Sequence, residues 1–343
     1  MTAVPLEVTV PKIPIGSWLA SFFDWLTTTL GGFFDGVSSV VGGAVDGLIA
    51  VLQAPPALVV AVIFAVIGLF VRGWVFAVGS LVGFLLIISM GQWDAAMQTL
   101  ALVLVASVIA VLIAIPLGIW AARKRGASAV TRPIMDLMQT MPAFVWLVPV
   151  VTLFGIGVVP GVIATIIFAL PPGVRLTELG IRNVDHEIVE AANAFGATPR
   201  QTLFGVQLPL AMPTIMAGVN QVIMLALSMA VIAGLVGAEG LGGQVTSAIA
   251  TLDLGLGFEA GISVVILAIY LDRVTAGIGQ GTHKTGLARL WSRKQRRIAE
   301  EEPTAEAVTD EEIEEVPEAP VGVIGESPEA LESMSRVHTE RSD

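Results

Sequence analysis

Long stretches without a charged side chain are the feature of this 343-residue chain that most limits its possible folds. Asp, Glu, Lys and Arg are absent from six runs, which are residues 47–71, 73–93, 95–122, 137–174, 201–238 and 260–271. A helix needs about 20 apolar residues to cross a bilayer, and all but the last of these runs reach that length. Charged residues make up 14% of the chain, against roughly 25% in soluble domains. The sequence therefore predicts an all-α polytopic membrane protein.

Seven membrane spans are predicted from these runs. The run at 137–174 is long enough for two helices, and the Gly- and Pro-containing segment 155–161 predicts the turn between them. The predicted spans lie near residues 56–72, 73–91, 97–122, 134–155, 158–173, 213–236 and 255–275. Together they define a transmembrane domain over residues 56–279, with a loop at 173–212 between the fifth and sixth spans.

Lys and Arg alternate between loops, which predicts the orientation of the spans. Basic residues occur at Arg72, within 123–132, within 173–212 and after Arg273, whereas the intervening loops contain none. Because Lys and Arg stay on the cytoplasmic side of a membrane, the N-terminus is expected outside the cell membrane and the C-terminus in the cytoplasm. The start of the chain lacks a basic segment followed by an apolar one, so no cleaved signal peptide is expected.

Residues 1–55 form a predicted extracytoplasmic segment that contains an 11-residue repeat at 21–53. The repeat places Asp24, Asp35 and Asp46 along one stripe of a helix, flanked by apolar and aromatic residues. This pattern favours an amphipathic helix lying on the outer leaflet. The alternative is a loosely ordered segment, because its many Gly residues oppose helix formation.

Residues 280–343 form a predicted cytoplasmic tail that is first basic and then acidic. Fifteen of the chain's 29 acidic residues lie in 300–343, beside two Arg. The net charge of −11 therefore belongs to the tail, and the rest of the chain is nearly neutral. The acidic part is rich in Glu and Pro and poor in large apolar residues, which predicts disorder.

The 173–212 loop is predicted to carry the function. Asp185 can cap a helix that starts at His186, Gly196 can end it, and the segment 198–201 forms a capping box for a second helix. The 173–212 loop has three Arg against four acidic residues, so it lacks the basic surface that DNA binding needs. Small side chains at Ala191 and Ala192 allow a partner to approach closely.

The spacing of seven loop residues resembles the EAA loop of binding-protein-dependent ABC importer permeases, with Val in place of the commoner Ile. They are Glu190, Ala191, Ala192, Gly196, Val206, Leu208 and Pro209. The resemblance extends from about residue 95 to 279. Within it, the segments 133–157 and 237–243 are similar to permeases for glycine betaine, proline betaine and related quaternary amines.

This resemblance implies a transport assembly and not an enzyme. It implies two permease copies, a separate cytoplasmic ATPase subunit that uses the ATP, and an external solute-binding protein that supplies most of the selectivity for an osmolyte. The chain has no ATP-binding motif of its own. A P-loop requires Gly directly before its Lys, and here His283 stands directly before Lys284. With no Cys and three scattered His, neither a catalytic residue nor a bound cofactor or metal is expected.

Four residues within the predicted spans are candidates for the solute path: Gln139, Trp146, Asn220 and Ser228. Trp146 can stack on a quaternary ammonium through cation–π attraction. Interhelical hydrogen bonding or packing is the alternative role for each of them.

An ion-coupled secondary transporter of a small zwitterionic solute is the alternative function. Such proteins generally carry ionisable residues in the middle of the membrane, and the predicted spans have their charges at the ends. A channel or a structural scaffold would not explain the helical pair in the 173–212 loop.

Overall fold

The computed structural model describes residues 14–279. All regular secondary structure in this part of the chain is helical. The α-helices are α1 (Ile15–Gln53), α2 (Ala57–Arg72), α3 (Trp74–Ser89), α4 (Trp93–Arg123), α5 (Arg125–Thr140), α6 (Leu147–Phe154), α7 (Val158–Arg182), α8 (His186–Ala194), α9 (Pro199–Thr202), α10 (Leu208–Ala233), α11 (Leu241–Thr251) and α12 (Leu254–Gly279). The predicted tail at 280–343 and the segment that departs from a P-loop lie outside the described residues.

The prediction of an all-α polytopic membrane protein is confirmed. Five helical stretches are long and apolar enough to cross a membrane: α1, α4, α7, the continuous stretch Pro199–Val236, and α12. The predicted spans near 56–72 and 73–91 correspond to α2 and α3, which are shorter apolar helices of 16 residues each. Gly73, with φ of +97°, forms the tight connection between them.

The span predicted near 134–155 is not one continuous helix. α5 ends at Thr140, and its axis is bent by 105° from that of the following helical segment, Ala143–Phe154. The cause is Pro142, which donates no backbone hydrogen bond and disfavours helical geometry at the preceding residue. Met141 accordingly has extended backbone angles, with φ of −73° and ψ of 135°. The segment is therefore a broken span or a re-entrant loop.

The loop predicted at 173–212 is shorter in the structure because helices enter it from both sides. α7 continues through Pro171 and Pro172 as far as Arg182, and the helical stretch that leads into α10 begins at Pro199. Beyond its prolines α7 packs closely against α10: a Cβ on Gly180 would lie 3.0 Å from the Cβ of Thr214. Glu178, assigned by sequence to the loop, therefore lies inside α7.

Glycines bring α4, α7 and α10 into close contact at the centre of the bundle. A Cβ added to Gly118 of α4 would lie 2.5 Å from the Cβ of Thr177 in α7. A Cβ on Gly173 would lie 2.8 Å from that of Ala114, and one on Gly218 would lie 3.0 Å from that of Leu176. Small residues at helix contacts are typical of membrane proteins, where van der Waals packing drives helix association.

α1 is a 39-residue helix with a kink at Leu30, so the predicted helix over 21–53 is present despite its Gly content. Its second half lies across one end of the bundle. Gln53 donates from Nε2 to the carbonyl of Asp94 at 3.2 Å, and the rings of Phe34 and Phe154 are 5.3 Å apart. Both partners lie at helix ends, the start of α4 and the end of α6.

The Asp stripe of the repeat is exposed. Asp24, Asp35 and Asp46 all face away from the bundle, whereas Val45 between the last two is fully buried. The repeat therefore gives α1 one packed face and one polar stripe, as an amphipathic helix requires. Its placement on the outer leaflet stays a prediction.

Candidate functional site

α8 is held in shape by hydrogen bonds at both ends. Asp185 accepts a hydrogen bond at its Oδ1 from the backbone N–H of Glu187 at 2.9 Å, which caps the N-terminus. Gly196 follows the last turn with φ of +80°. Its N–H donates to the carbonyl of Asn193 at 2.9 Å, and that of Ala197 donates to the carbonyl of Ala192 at 3.1 Å. This pattern is a Schellman motif, and the positive φ explains why Gly stands at this position.

α9 begins with the predicted capping box. The backbone N–H of Gln201 donates to Oγ1 of Thr198 at 3.4 Å, and the N–H of Thr198 donates to Oε1 of Gln201 at 2.8 Å. The Thr202 hydroxyl donates to the Asn193 side-chain oxygen at 3.2 Å and so joins α9 to α8. The two short helices are therefore fixed relative to each other by local contacts.

A π-helical segment connects α9 to α10. It covers Leu203–Gln207 and includes Val206, and it leads directly into Leu208 and Pro209. Pro209 has no N–H to donate back into the helix, and irregular turns of this kind are a common way to accommodate such a loss. The second helix predicted after the capping box is thus the start of one longer, locally distorted helix.

The surface of α8 is almost entirely uncovered. None of its side chains is buried, and Glu190 and Ala191 are exposed while Ala192 is half-buried. Phe195, directly after α8, is 93% exposed. Glu190 lies beside a residue of its own helix, with 3.0 Å between its Oε1 and Nδ1 of His186. A folded helical pair that presents an uncovered aromatic ring is typical of a surface that binds another protein.

A buried carboxylate lies where α7 leads into this pair. Glu178 is 5% exposed. Its Oε1 is 3.0 Å from Nε of Arg182, 3.2 Å from Nη2 of Arg132 and 2.7 Å from the donating hydroxyl of Ser128. Sequence reasoning missed this cluster because Ser128 and Arg132 belong to α5, about 50 residues earlier, and no local pattern pairs them with α7.

Comparison with known proteins identifies the kind of chain that carries this surface. The family described as binding-protein-dependent transport system inner membrane component matches residues 114–283. The glycine betaine transport system permease protein OpuAB of Bacillus subtilis is 50% identical over 269 residues, which cover 78% of this chain and 95% of that protein. This chain belongs to that permease family.

Another relative supports the same family, and a solved structure supports the same fold. The glycine betaine/proline betaine permease ProW of Escherichia coli is 50% identical over 280 residues, 82% of this chain and 79% of that protein. A structure of the inward-facing MetNI methionine ABC transporter has the same fold, with a TM-score of 0.50 and 21% identity over 56% of this chain and 95% of that one. The chain is thus a multi-pass ABC importer permease subunit.

In this permease, no hydrogen bond within residues 14–279 joins any two of the four predicted solute-path residues. Asn220 donates from Nδ2 to Oδ1 of Asp272 at 3.0 Å and accepts from the Thr275 hydroxyl, so it joins α10 to α12. Trp146 donates from Nε1 to the carbonyl of Met138 at 3.3 Å, across the bend after α5.

The other two solute-path candidates, Gln139 and Ser228, have no hydrogen bond to another helix among the described residues. Gln139 is half-buried at the end of α5, and Ser228 is exposed on α10, where its hydroxyl donates to the carbonyl of Met224. Asn220 and Trp146 thus have the interhelical and packing contacts of the alternative role, whereas Ser228 lies on an uncovered helix face.

Proposed function

We propose that this permease imports glycine betaine or a related quaternary amine, driven by a separate ATPase subunit that binds the α8–α9 pair. The observation that carries the proposal is the uncovered surface of α8, with Phe195 93% exposed beside Glu190, Ala191 and Gly196. Its shape is set by its own caps, so the surface is preformed for a partner. Closure of the ATPase on ATP would then move α8 and the helices attached to it, and ATP would bind to that partner and not to this chain.

The position of the basic residues supports a cytoplasmic location for this surface. Arg72 donates to the carbonyl of Arg273 at 3.3 Å, and Arg182 donates to the carbonyl of Ala121 at 2.9 Å. α8 begins four residues after Arg182, so it lies at the end of the bundle where Arg182 contacts the end of α4. By the positive-inside rule this end faces the cytoplasm, and the end crossed by α1 faces outward.

A second copy of the permease is proposed to complete the solute path. α10 packs against α7 and α12, yet Gln221, Met224 and Ser228 remain exposed along one of its faces. Their spacing of three and four residues places them on one stripe. Polar side chains facing lipid are unfavourable, which favours a homodimer that encloses this stripe between two α10 helices.

The substrate class rests on the relatives. Two proteins that are half identical to this chain are named as permeases for glycine betaine or proline betaine, and another, 49% identical, for glycine betaine and carnitine. An extracytoplasmic binding protein that captures such an osmolyte is the proposed donor to the permease.

Ion-coupled transport is less well supported because the buried carboxylate of the described bundle is already paired, and the half-buried Asp272 accepts a hydrogen bond from Asn220. Glu178 is the single buried acidic or basic side chain within residues 14–279. It is paired with two arginines, whereas a proton or ion carrier must release its charge partner during transport.

Reconstitution tests the proposal directly. The permease, its ATPase and its binding protein are incorporated in proteoliposomes, and uptake of labelled glycine betaine is measured with and without ATP and the binding protein. We expect uptake only when all are present. Uptake driven by an ion gradient in the absence of ATP would exclude an ATP-driven importer.

A further inference from the structure

Glu178 lies where three helices of the bundle meet, close to the start of the α8–α9 pair. It lies on the last two turns of α7, eight residues before α8 begins. Its carboxylate contacts Ser128 and Arg132 of α5 and Arg182 of its own helix. Arg182 in turn donates from Nη2 to the carbonyl of Ala121 near the end of α4. One carboxylate therefore connects three helices at the base of the α8–α9 pair.

The burial of this group makes the connection strong. A buried charge is tolerated only when it is paired and hydrogen-bonded, and removing one partner leaves an uncompensated charge in a poorly solvated site. Separating α5 from α7 would leave the Glu178 carboxylate with Arg182 alone. The Arg132 side chain is 62% exposed, so the buried part of the contact is the Glu178 carboxylate with Ser128. This buried part resists sliding of α5 against α7 more than an exposed ion pair does.

α5 is the helix that such a connection would move. It follows α4 after Lys124 and is joined to the segment Ala143–Phe154 through the 105° bend at Met141 and Pro142. Most of its side chains are exposed or half-buried. Its buried residues, Ala127, Ser128, Thr131 and Met135, form one narrow face. Glu178 anchors the first half of this face.

We propose that Glu178 is the positioning residue that transmits the movement of the α8–α9 pair from α7 to α5 during transport. The proposal rests on the proposed function, because it requires the ATPase to act on α8–α9. Displacement of α8 acts on the last turns of α7, and the Glu178 contacts to Ser128 and Arg132 make α5 follow. The segment beyond the bend, with Gln139 and Trp146 on either side of it, then changes position with α5.

The chain contains a matched control for this contact. Asp136 of α5 and Arg175 of α7 form an ion pair between the same two helices, about one turn away. Their side chains are 63% and 42% exposed, respectively. Glu178→Gln and Asp136→Asn make the same chemical change, carboxylate to amide, once in the buried contact and once in an exposed one.

The experiment compares these variants in the complete transporter in proteoliposomes. Glu178→Gln is expected to assemble with the ATPase and hydrolyse ATP, but to import at least about tenfold less glycine betaine per ATP, within the usual range of coupling between sites. Asp136→Asn is expected to match the wild type. A ratio in Glu178→Gln within about twofold of the wild type would overturn the proposal.

If Glu178→Gln does not fold, a second pair of variants with smaller changes tests the same contact. Arg132→Gln removes the charged α5 partner of Glu178 and leaves the carboxylate with Ser128 of α5 and Arg182 of α7. Arg175→Gln makes the same change in the ion pair with Asp136. We expect a several-fold loss of import per ATP in Arg132→Gln only, as for other coupled sites. Equal ratios in the two variants would contradict the proposal.

Distance measurement separates transmission from a general structural defect. The chain contains no Cys, so spin labels at Gly126→Cys in α5 and Ala194→Cys in α8 report one distance. We expect this distance to stay constant on ATP binding in the wild type and in Asp136→Asn, and to change in Arg132→Gln. A distance that changes equally in all three would show that α5 does not follow α8.

A separate variant distinguishes failure of this proposal from failure of the proposed function. Gly196→Asp alters the α8–α9 surface and leaves the Glu178 cluster intact. If Gly196→Asp stops import and Glu178→Gln does not, only the transmission role is wrong. If neither affects import, the assignment of α8–α9 as the ATPase contact is wrong as well.

Discussion

The central bundle and the α8–α9 pair are built in opposite ways. In the bundle, α4, α7 and α10 touch through glycines that leave no room for a methyl group, as at Gly118 against Thr177. In the pair, α8 has no buried side chain, and a Cβ on Gly196 would meet no atom within 4 Å. The bundle is filled by contacts within the chain, whereas the surface of the α8–α9 pair is uncovered.

Under the proposed function, this difference separates the residues that stabilise the fold from those that bind the partner. The bundle depends on contacts between helices distant in sequence, so it forms only when the whole domain packs. The α8–α9 pair depends on caps made by residues within about 17 positions of each other, so its shape is largely local. A substitution in the bundle should therefore affect folding, whereas one in the pair should affect the partner.

Substitution of Gly118 should have the largest effect. In Gly118→Ala, the new methyl group would lie 2.5 Å from the Cβ of Thr177 and 2.8 Å from the carbonyl of Val174. Overpacking of this kind costs about 1–3 kcal/mol or more, so thermal unfolding in detergent should begin at a clearly lower temperature. Gly79→Ala, with no atom within 4 Å, is the control, and equal shifts in the two would contradict the tight packing.

Substitution of Gly196 should abolish transport without unfolding the bundle. Gly196→Asp places a β-carbon at a positive φ, at a cost of about 1–2 kcal/mol, and adds a charge beside Phe195 on the open surface. Gly196→Asn has nearly the same shape without the charge and should retain more activity. The measurement is solute-stimulated ATP hydrolysis with insertion checked by membrane fractionation. Normal stimulation in Gly196→Asp would refute the coupling role.

Substitution of Phe195 should weaken binding of the ATPase and leave the fold of the permease unchanged. An exposed aromatic anchor typically contributes about 2 kcal/mol or more to binding, so Phe195→Ser should weaken ATPase binding by roughly 30-fold. Phe258→Ser, which removes a 70% exposed ring at the start of α12, is the matched control at the other end of the bundle. Binding of purified ATPase to the permease in nanodiscs is measured, and equal affinities in the two variants would exclude Phe195 as an anchor.

Substitution of Thr198 should have the smallest effect. Thr198→Ala removes the capping-box hydroxyl at the start of α9, which is worth about 1 kcal/mol. We expect a modest loss of import and an unchanged unfolding temperature, whereas Thr198→Ser should behave as the wild type. A large fall in unfolding temperature would show that α9 contributes to the bundle itself.

The accuracy of the sequence predictions follows the range of the interactions. The caps at Asp185, Gly196 and Thr198 were predicted residue by residue and are confirmed, because each involves residues within a few positions. The bend after α5 is only partly indicated by the sequence. Pro142 disfavours a continuous helix at this position, but the 105° angle depends on what α5 and α6 each pack against. Glu178 was assigned to a loop because charges usually end a span, and its partners on α5 could not be found by periodicity.

The sequence by itself determined that this chain enters a membrane, that α8 and α9 begin after Asp185 and Thr198, and that these capped helices form a pair between two spans. These properties depend on composition and on neighbouring residues. Only the tertiary structure decided that α7 continues through two prolines, that Glu178 is buried between two arginines and that Asn220 faces α12. Each of these depends on side chains from helices far apart in the chain, and their proximity exists only once the helices have packed.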